Sequence, residues 1–142
     1  MSLWIHDTNH VTYLQNSHPN VLQRLSTVNP KDVAITAITA EEKIRGWFKF
    51  MDVNSDCCIW AYKGFKDTLT YFKKVNVLDF DENAYQIYRD LKKKLNNKVG
   101  TKDLQIAAIA LSVNVIIVTS NLKEIISLCC SMLKAKLLMN NF

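Results

Sequence analysis

The sequence predicts an α/β fold, in which a parallel sheet carries helices on both faces. Short apolar segments typical of buried strands alternate along the chain with stretches whose apolar residues recur every three or four positions. With 142 residues and 49% hydrophobic composition, the chain has the size of one domain that buries its own core. Because we find no internal repeat, low-complexity tract or linker, we expect a single domain over residues 1–142.

In the first half of the chain, Ser2 to His6 and Val33 to Thr36 are the predicted strands. Apolar spacing between them indicates two helices, and Pro19 suits the first turn of the second, where its missing N–H costs nothing. Thr39 and Glu42 have the spacing of a capping box, which predicts the start of a third helix at this point. Glu42 is therefore expected near the first turn of that helix.

In the second half, residues 52 to 74 have the three-and-four spacing of an amphipathic helix. Val75 to Phe80 is strand-like, and Asp81 can cap a helix that ends in the lysine-rich segment before Asn96. The remaining predicted elements are a helix capped by Thr101 over Lys102 to Leu111, a strand over Val115 to Thr119, and a helix from Leu122 onwards. This alternation is what right-handed crossovers between parallel strands require.

Charge and cysteine content limit the classes of function. The chain has 18 Lys and Arg against 13 Asp and Glu, and a formal charge of +5 favours polyanionic partners such as nucleic acid. The vicinal pairs Cys57-Cys58 and Cys129-Cys130 suit neither a zinc knuckle nor a redox motif, so reduced thiols are expected. With no signal-peptide pattern or membrane-spanning stretch, the sequence predicts a cytoplasmic protein that does not contact a membrane.

Acidic and amide side chains are placed where the predicted sheet would bind a ligand. Asp7 and Asn121 follow apolar strands at their carboxyl ends, the edge at which open parallel sheets bind ligands. Glu42 and Asp103 belong to helix starts that reach the same edge. Carboxylates held close together repel one another unless a cation lies between them, and hard oxygen ligands suit Mg²⁺ or Mn²⁺. Singly, each acid can equally be a helix cap or a partner of the helix dipole.

Four ordered motifs resemble those of the PIN-domain family, specifically the VapC-type toxins of bacterial toxin–antitoxin pairs. The resemblance covers roughly Leu3 to Glu124. The motifs are Asp7-Thr8-Asn9-His10, Ile38-Thr39-Ala40-Glu41-Glu42 with Gly46, Gly100-Thr101-Lys102-Asp103-Leu104 with Ile106-Ala107-Ala108, and Val118-Thr119-Ser120-Asn121. The order of four motifs is far more specific than any single acid.

The resemblance implies a PIN-like three-layer α/β/α sandwich with a central parallel sheet of four to five strands. It also implies a magnesium-dependent endoribonuclease that cuts RNA, forms a homodimer and is silenced by a cognate VapB-type antitoxin. Asp7, Glu42 and Asp103 match the family's first three acids, and Glu42, four residues before Gly46, fits better than Glu41. Asn121 stands where many members have a fourth acid. Supporting or RNA-contacting roles fall to Thr8, Thr119 and Lys102.

Two other classes of protein are alternatives to an active nuclease. A signalling receiver domain shares the sheet but needs adjacent acids after its first strand, whereas Asp7 is followed by Thr8 and Asn9. A catalytically degenerate PIN domain that binds antitoxin or RNA without cutting is kept open by the tail after Glu124. There Ile125-Ile126-Ser127-Leu128-Cys129-Cys130 replaces the aromatic residue and short final strand usual in the family.

Surface features suggest partners. The run Lys92-Lys93-Lys94, with Lys98 and Lys102, leads towards Asp103 and can guide a phosphate backbone, although such runs are more often a solvated helix face. The aromatic residues Trp47, Trp60, Tyr62 and Phe65 can stack on bases, but their spacing favours packing in the core or in a dimer interface.

Overall fold

The structure is a computed structural model that describes residues 3–6, 8–17, 19–53, 56, 58–95 and 98–118. In this part of the chain, helices and strands alternate as an α/β protein requires. The strands are β1 (Trp4–His6), β2 (Val33–Thr36), β3 (Asn76–Leu78) and β4 (Ile116–Val118). The helices are α1 (Thr8–Gln15), α2 (Pro19–Leu25), α3 (Ala37–Val53), α4 (Cys58–Lys74), α5 (Glu82–Leu95) and α6 (Thr101–Val113), with a 3₁₀ turn over Pro30–Asp32.

The strands of the described residues form one parallel sheet in the order β3-β2-β1-β4. The chain steps from β1 to β2 to β3 in one direction, and the connection through α5 and α6 then returns it to the far side of β1. Right-handed crossovers place α1 to α4 on one face of such a sheet and α5 and α6 on the other. The reversal between β1 and β4 is a topological switch point, where open α/β sheets form a ligand crevice at their carboxyl edge.

Burial shows that both faces of the sheet are covered. All of β2 is buried, and successive strand residues point to opposite faces. Ile5 of β1 packs with Ala34 of β2 and with Ala110 of α6 in a fully buried cluster. A second cluster joins α5 to α6 through Leu91, Leu104 and neighbouring residues. The predicted three-layer α/β/α arrangement around a parallel sheet of four to five strands is therefore confirmed, with four strands in the described residues.

Two predicted helix caps were wrong. The predicted capping box made Thr39 the cap of α3, but the helix begins at Ala37, and the Thr36 hydroxyl accepts a hydrogen bond from the Thr39 backbone N–H at 3.1 Å. Thr36, the last residue of β2, is the cap, so Glu42 lies in the second turn of α3 rather than the first. Likewise Thr101 is the first residue of α6, and Gly100 occupies the N-cap position.

Other local predictions agree with the structure. The Asp81 carboxylate accepts a hydrogen bond from the Ala84 N–H at 2.9 Å at the start of α5. The helix predicted over residues 52 to 74 corresponds to α4, which starts later, at Cys58, and α3 continues to Val53. The predicted helix from Leu122 and the cysteines Cys57, Cys129 and Cys130 lie outside the described residues. Among the described helices, none combines the length and the hydrophobicity needed to cross a membrane.

Helices α1, α3 and α4 meet at a buried threonine. The Thr68 hydroxyl, fully buried in α4, accepts hydrogen bonds from the Trp47 indole N–H at 2.9 Å and from the Gln15 side-chain amide at 3.3 Å. It donates to the Gly64 carbonyl at 2.9 Å. A Cβ on Gly64 would lie 2.2 Å from the Trp47 ring, so this close approach of α3 to α4 requires glycine.

Candidate active site

The candidate site is built on helix starts at the carboxyl edge of the sheet. Helix α3 begins directly after β2, and α6 runs back towards the start of β4, which places its first turn at the same edge. Glu42 and Asp103 therefore lie on neighbouring elements, since α3 packs against α6. Both side chains are partly buried, as expected for groups at the rim of a crevice.

A contact from α1 reaches Glu42. The Thr8 hydroxyl donates a hydrogen bond to the Glu42 carboxylate. Thr8 is the first residue of α1 and directly follows Asp7 in the chain. This contact therefore brings the start of α1 against the second turn of α3.

Asp103 lies in the first turn of α6, one of the positions predicted from the sequence. Its Oδ2 atom lies 3.6 Å from the position that a Cβ would take on Gly100, the N-cap residue, so the carboxylate turns back over the helix N-terminus. A negative charge at this position complements the positive end of the helix dipole. This position is compatible with a role in a cation site, because a carboxylate that faces the helix N-terminus can also offer an oxygen to a cation.

A second acid, Glu41, forms ion pairs beside Glu42. Its carboxylate contacts the Lys102 ammonium of α6 and the Arg45 guanidinium one turn along α3. The hydrogen bond from Lys102 is the main reason why the pKa of Glu41 lies below its usual value, and both cations also lower it by charge attraction. Lys102, which the sequence offered as an RNA contact, is thus already paired with a carboxylate.

Lys43 makes the corresponding contact on the other side of Glu42. Its ammonium donates a hydrogen bond to the Thr12 hydroxyl of α1 at 3.1 Å, and Thr12 in turn donates to the Thr8 carbonyl at 3.0 Å. Lys43 is half-buried, and this burial lowers its pKa because the charged form loses hydration. Reasoning from the sequence missed the roles of Glu41 and Lys43. Their position on either side of the predicted acid was the available signal.

The other predicted site residues, Asp7, Thr119 and Asn121, lie outside the described residues. Within the described residues, no three His, Cys, Asp or Glu side chains form a group that could hold a metal ion. The donors that are described fit a hard divalent cation in their chemistry, since Glu42 and Asp103 offer carboxylate oxygens at one edge. A complete ligand set would need a donor from the undescribed positions.

The family comparison agrees with the fold and with the motifs. The PIN domain matches residues 5–125 of the chain, which include β4, every described helix and all of β1 except Trp4. The chain therefore belongs to the PIN-domain family.

Its relatives are VapC-type proteins, as the motifs predicted. The chain is similar to Ribonuclease VapC1 of Haemophilus influenzae strain R2866, with 33% identity over 127 residues that cover 86% of this chain and 89% of the relative. Among solved structures, VapBC-1 from nontypeable Haemophilus influenzae has a TM-score of 0.73 at 25% identity and covers 96% of each chain. DNA-bound VapBC from Salmonella typhimurium has a TM-score of 0.75 at 22% identity, covers 97% of this chain and 98% of its own, and supports the fold alone.

Proposed function

We propose that this chain is a metal-dependent endoribonuclease, the toxin component of a bacterial toxin–antitoxin pair. Asp7, Glu42 and Asp103 are the proposed metal ligands, and Asn121 is the fourth member of the site. The observation that carries the proposal is the Thr8–Glu42 hydrogen bond, because it joins the segment that follows Asp7 to the second acid. The similarity to proteins named Ribonuclease VapC1 supports the choice of RNA as substrate.

The chain's own residues would bind and orient the substrate. Bound Mg²⁺ or Mn²⁺ would supply the Lewis acidity that activates water and stabilises the leaving oxygen of the phosphodiester. Glu42 is oriented by the Thr8 hydroxyl, and Asp103 lies at the N-terminus of α6, where a negative charge complements the helix dipole. The formal charge of +5 attracts the RNA backbone and makes binding weaken as salt rises.

The first test is Asp103→Asn, which keeps the shape of the side chain but removes its charge. We expect wild-type protein to cut single-stranded or looped RNA in Mg²⁺ or Mn²⁺ and Asp103→Asn to cut none, with the same circular-dichroism spectrum. RNA affinity should persist or rise, because one repulsive charge near the phosphate is lost. Gel assays of cleavage and of binding at two salt concentrations measure both effects.

Each contrary result has a definite meaning. Equal cleavage by wild type and Asp103→Asn would assign the activity to a contaminant. If neither protein cuts RNA and both bind a VapB-like antitoxin, the chain is a catalytically degenerate PIN domain that acts as a binding module.

We propose two protein partners. The first is a VapB-type antitoxin, because solved relatives are VapBC complexes. The second is another copy of this chain, bound through the outer face of the α3–α4 pair. Large exposed apolar surface often marks a protein–protein interface, and these two helices carry large exposed apolar side chains. They are Phe48, Ile59, Trp60 and Tyr62.

A further inference from the structure

We infer that Glu41 and Lys102 form a positioning ion pair, which sets the separation of the Glu42 and Asp103 carboxylates. The inference rests on the proposed metal site and assigns a role to two residues that do not themselves bind metal. Each partner is the immediate chain neighbour of a proposed ligand, because Glu41 precedes Glu42 and Lys102 precedes Asp103. Their contact joins α3 to α6.

Helix geometry explains why the neighbours of Glu42 in the chain contact different helices. Successive α-helical residues point about 100° apart, so Glu41 and Lys43 diverge to opposite sides of Glu42. The structure shows this division, since Glu41 contacts Lys102 of α6 and Lys43 contacts Thr12 of α1. Glu42 is thereby held between two neighbouring helices.

The Glu41–Lys102 ion pair counteracts a repulsion, because the neighbouring carboxylates of Glu42 and Asp103 carry like charges. Without a cation between them, the like charges of Glu42 and Asp103 favour a wider spacing of α3 and α6. Nearer the core, apolar contacts of Ile38 with Ile106 and Ile109 hold the helices together. The ion pair adds attraction between α3 and α6 near Glu42 and Asp103, where the residues between the helices are charged rather than apolar.

The solvent exposure of Glu41 and Lys102 indicates that their ion pair contributes little to the stability of the fold. The Lys102 side chain is 41% exposed and the Glu41 side chain 34% exposed. Pairs this open to solvent stabilise folded proteins little. Loss of the pair should therefore change metal binding far more than it changes the melting temperature.

Manganese titration of the full chain tests the inference, because a simple charge effect and a positioning effect have opposite signs. Removing a cation beside an anionic site should tighten Mn²⁺ binding by Coulomb attraction alone. If the cation positions the ligands, Lys102→Met should instead weaken Mn²⁺ binding by about tenfold, the typical loss when a group that orients a metal ligand is removed. Isothermal titration calorimetry without RNA measures this and excludes any role of Lys102 in RNA contact.

Two further variants complete the design. Arg45→Met removes the other cation that contacts Glu41, but that pair lies within α3 and joins no second helix, so Mn²⁺ affinity should stay the same or rise slightly. Lys102→Arg keeps the charge and the contact, and it should restore affinity close to that of wild type.

The possible failures are distinguishable. Lys102→Met that binds Mn²⁺ as tightly as wild type overturns the inference alone, as does a failure of Lys102→Arg to restore affinity. A large fall in the melting temperature of metal-free Lys102→Met also overturns it, because the pair would then be structural. A wild-type chain that binds no Mn²⁺ overturns the proposed function and the inference together.

Discussion

At the scale of single residues, the adjacent acids Glu41 and Glu42 of α3 contact different helices, α6 and α1 respectively. The choice of Glu42 over Glu41 followed from its spacing to Gly46, and in the structure the two acids have different partners. Glu42 accepts a hydrogen bond from Thr8, whereas Glu41 pairs with Lys102 and Arg45. The partners of Glu41 could not be predicted, because they depend on how α3 and α6 approach each other. The roles proposed for Asp7 and Asn121 stay predictions.

Tyr71 gives a prediction about stability and its pH dependence. Its hydroxyl is buried in α4 and has no hydrogen-bond partner within the described residues. Burial raises the pKa of Tyr71 from 10.0 to about 12. Because the folded-state pKa is raised, the stability due to the neutral phenol is complete below pH 10.0 and is lost as pH rises towards about 12. Tyr71→Phe should increase the free energy of unfolding at neutral pH by about 1 kcal/mol.

Urea unfolding at neutral pH and across that alkaline range measures the effect. The alkaline loss of stability should be smaller in Tyr71→Phe than in wild type. Tyr85→Phe is the matched control, because Tyr85 of α5 is 43% exposed and lies outside the face proposed for the dimer, so the same change should leave both quantities nearly unaltered. An equal response of the two variants would contradict the burial argument.

At the scale of elements, the sequence pattern predicted every described strand and helix. The N-cap residues of α3 and α6 became clear only from the structure. Thr36 and Thr39 both suit an N-cap, and the choice depends on where β2 stops pairing with β3. That pairing involves residues more than thirty positions apart, beyond the reach of local spacing. The same limit applied at Thr101, where the flexible Gly100 takes the N-cap position instead.

The close packing of α3 against α4 leads to opposite predictions for two glycines. Gly64→Ala should destabilise the protein by about 2 kcal/mol, because the new methyl group displaces the Trp47 ring and its hydrogen bond to Thr68. Gly46→Ala should stabilise it by roughly 0.5–1 kcal/mol, since alanine favours helix and nothing lies within 4 Å of the new Cβ. Thermal or urea unfolding measures both. Stabilisation by both changes would show that helix propensity, rather than packing, dominates at Gly64.

At the scale of the whole molecule, exposed apolar surface predicts self-association. Ile59 is 91% exposed and Trp60 52% exposed on the face proposed for the dimer. Ile59→Asp should cost the monomer little but place like charges near each other across a symmetric interface. Sedimentation velocity at micromolar concentration should show a dimer for wild type and mainly monomer for the variant.

A control at another exposed apolar residue makes this test specific. Val113, at the end of α6, is 45% exposed, and Val113→Asp should leave the dimer intact. A wild-type chain that sediments only as monomer would refute self-association through this face.

The central position of β1 also determines when the site can form during synthesis. Trp4 of β1 pairs with Ile116 of β4, more than a hundred residues later in the chain. Such distant pairing is slow to form, and a growing chain presents its N-terminal part first. The crevice between β1 and β4 is therefore absent until the ribosome has made β4. If Asp7, Glu42 and Asp103 form the proposed site, a nascent chain carries them before the strand that completes their edge, so translation itself would delay any cutting of RNA beside the ribosome.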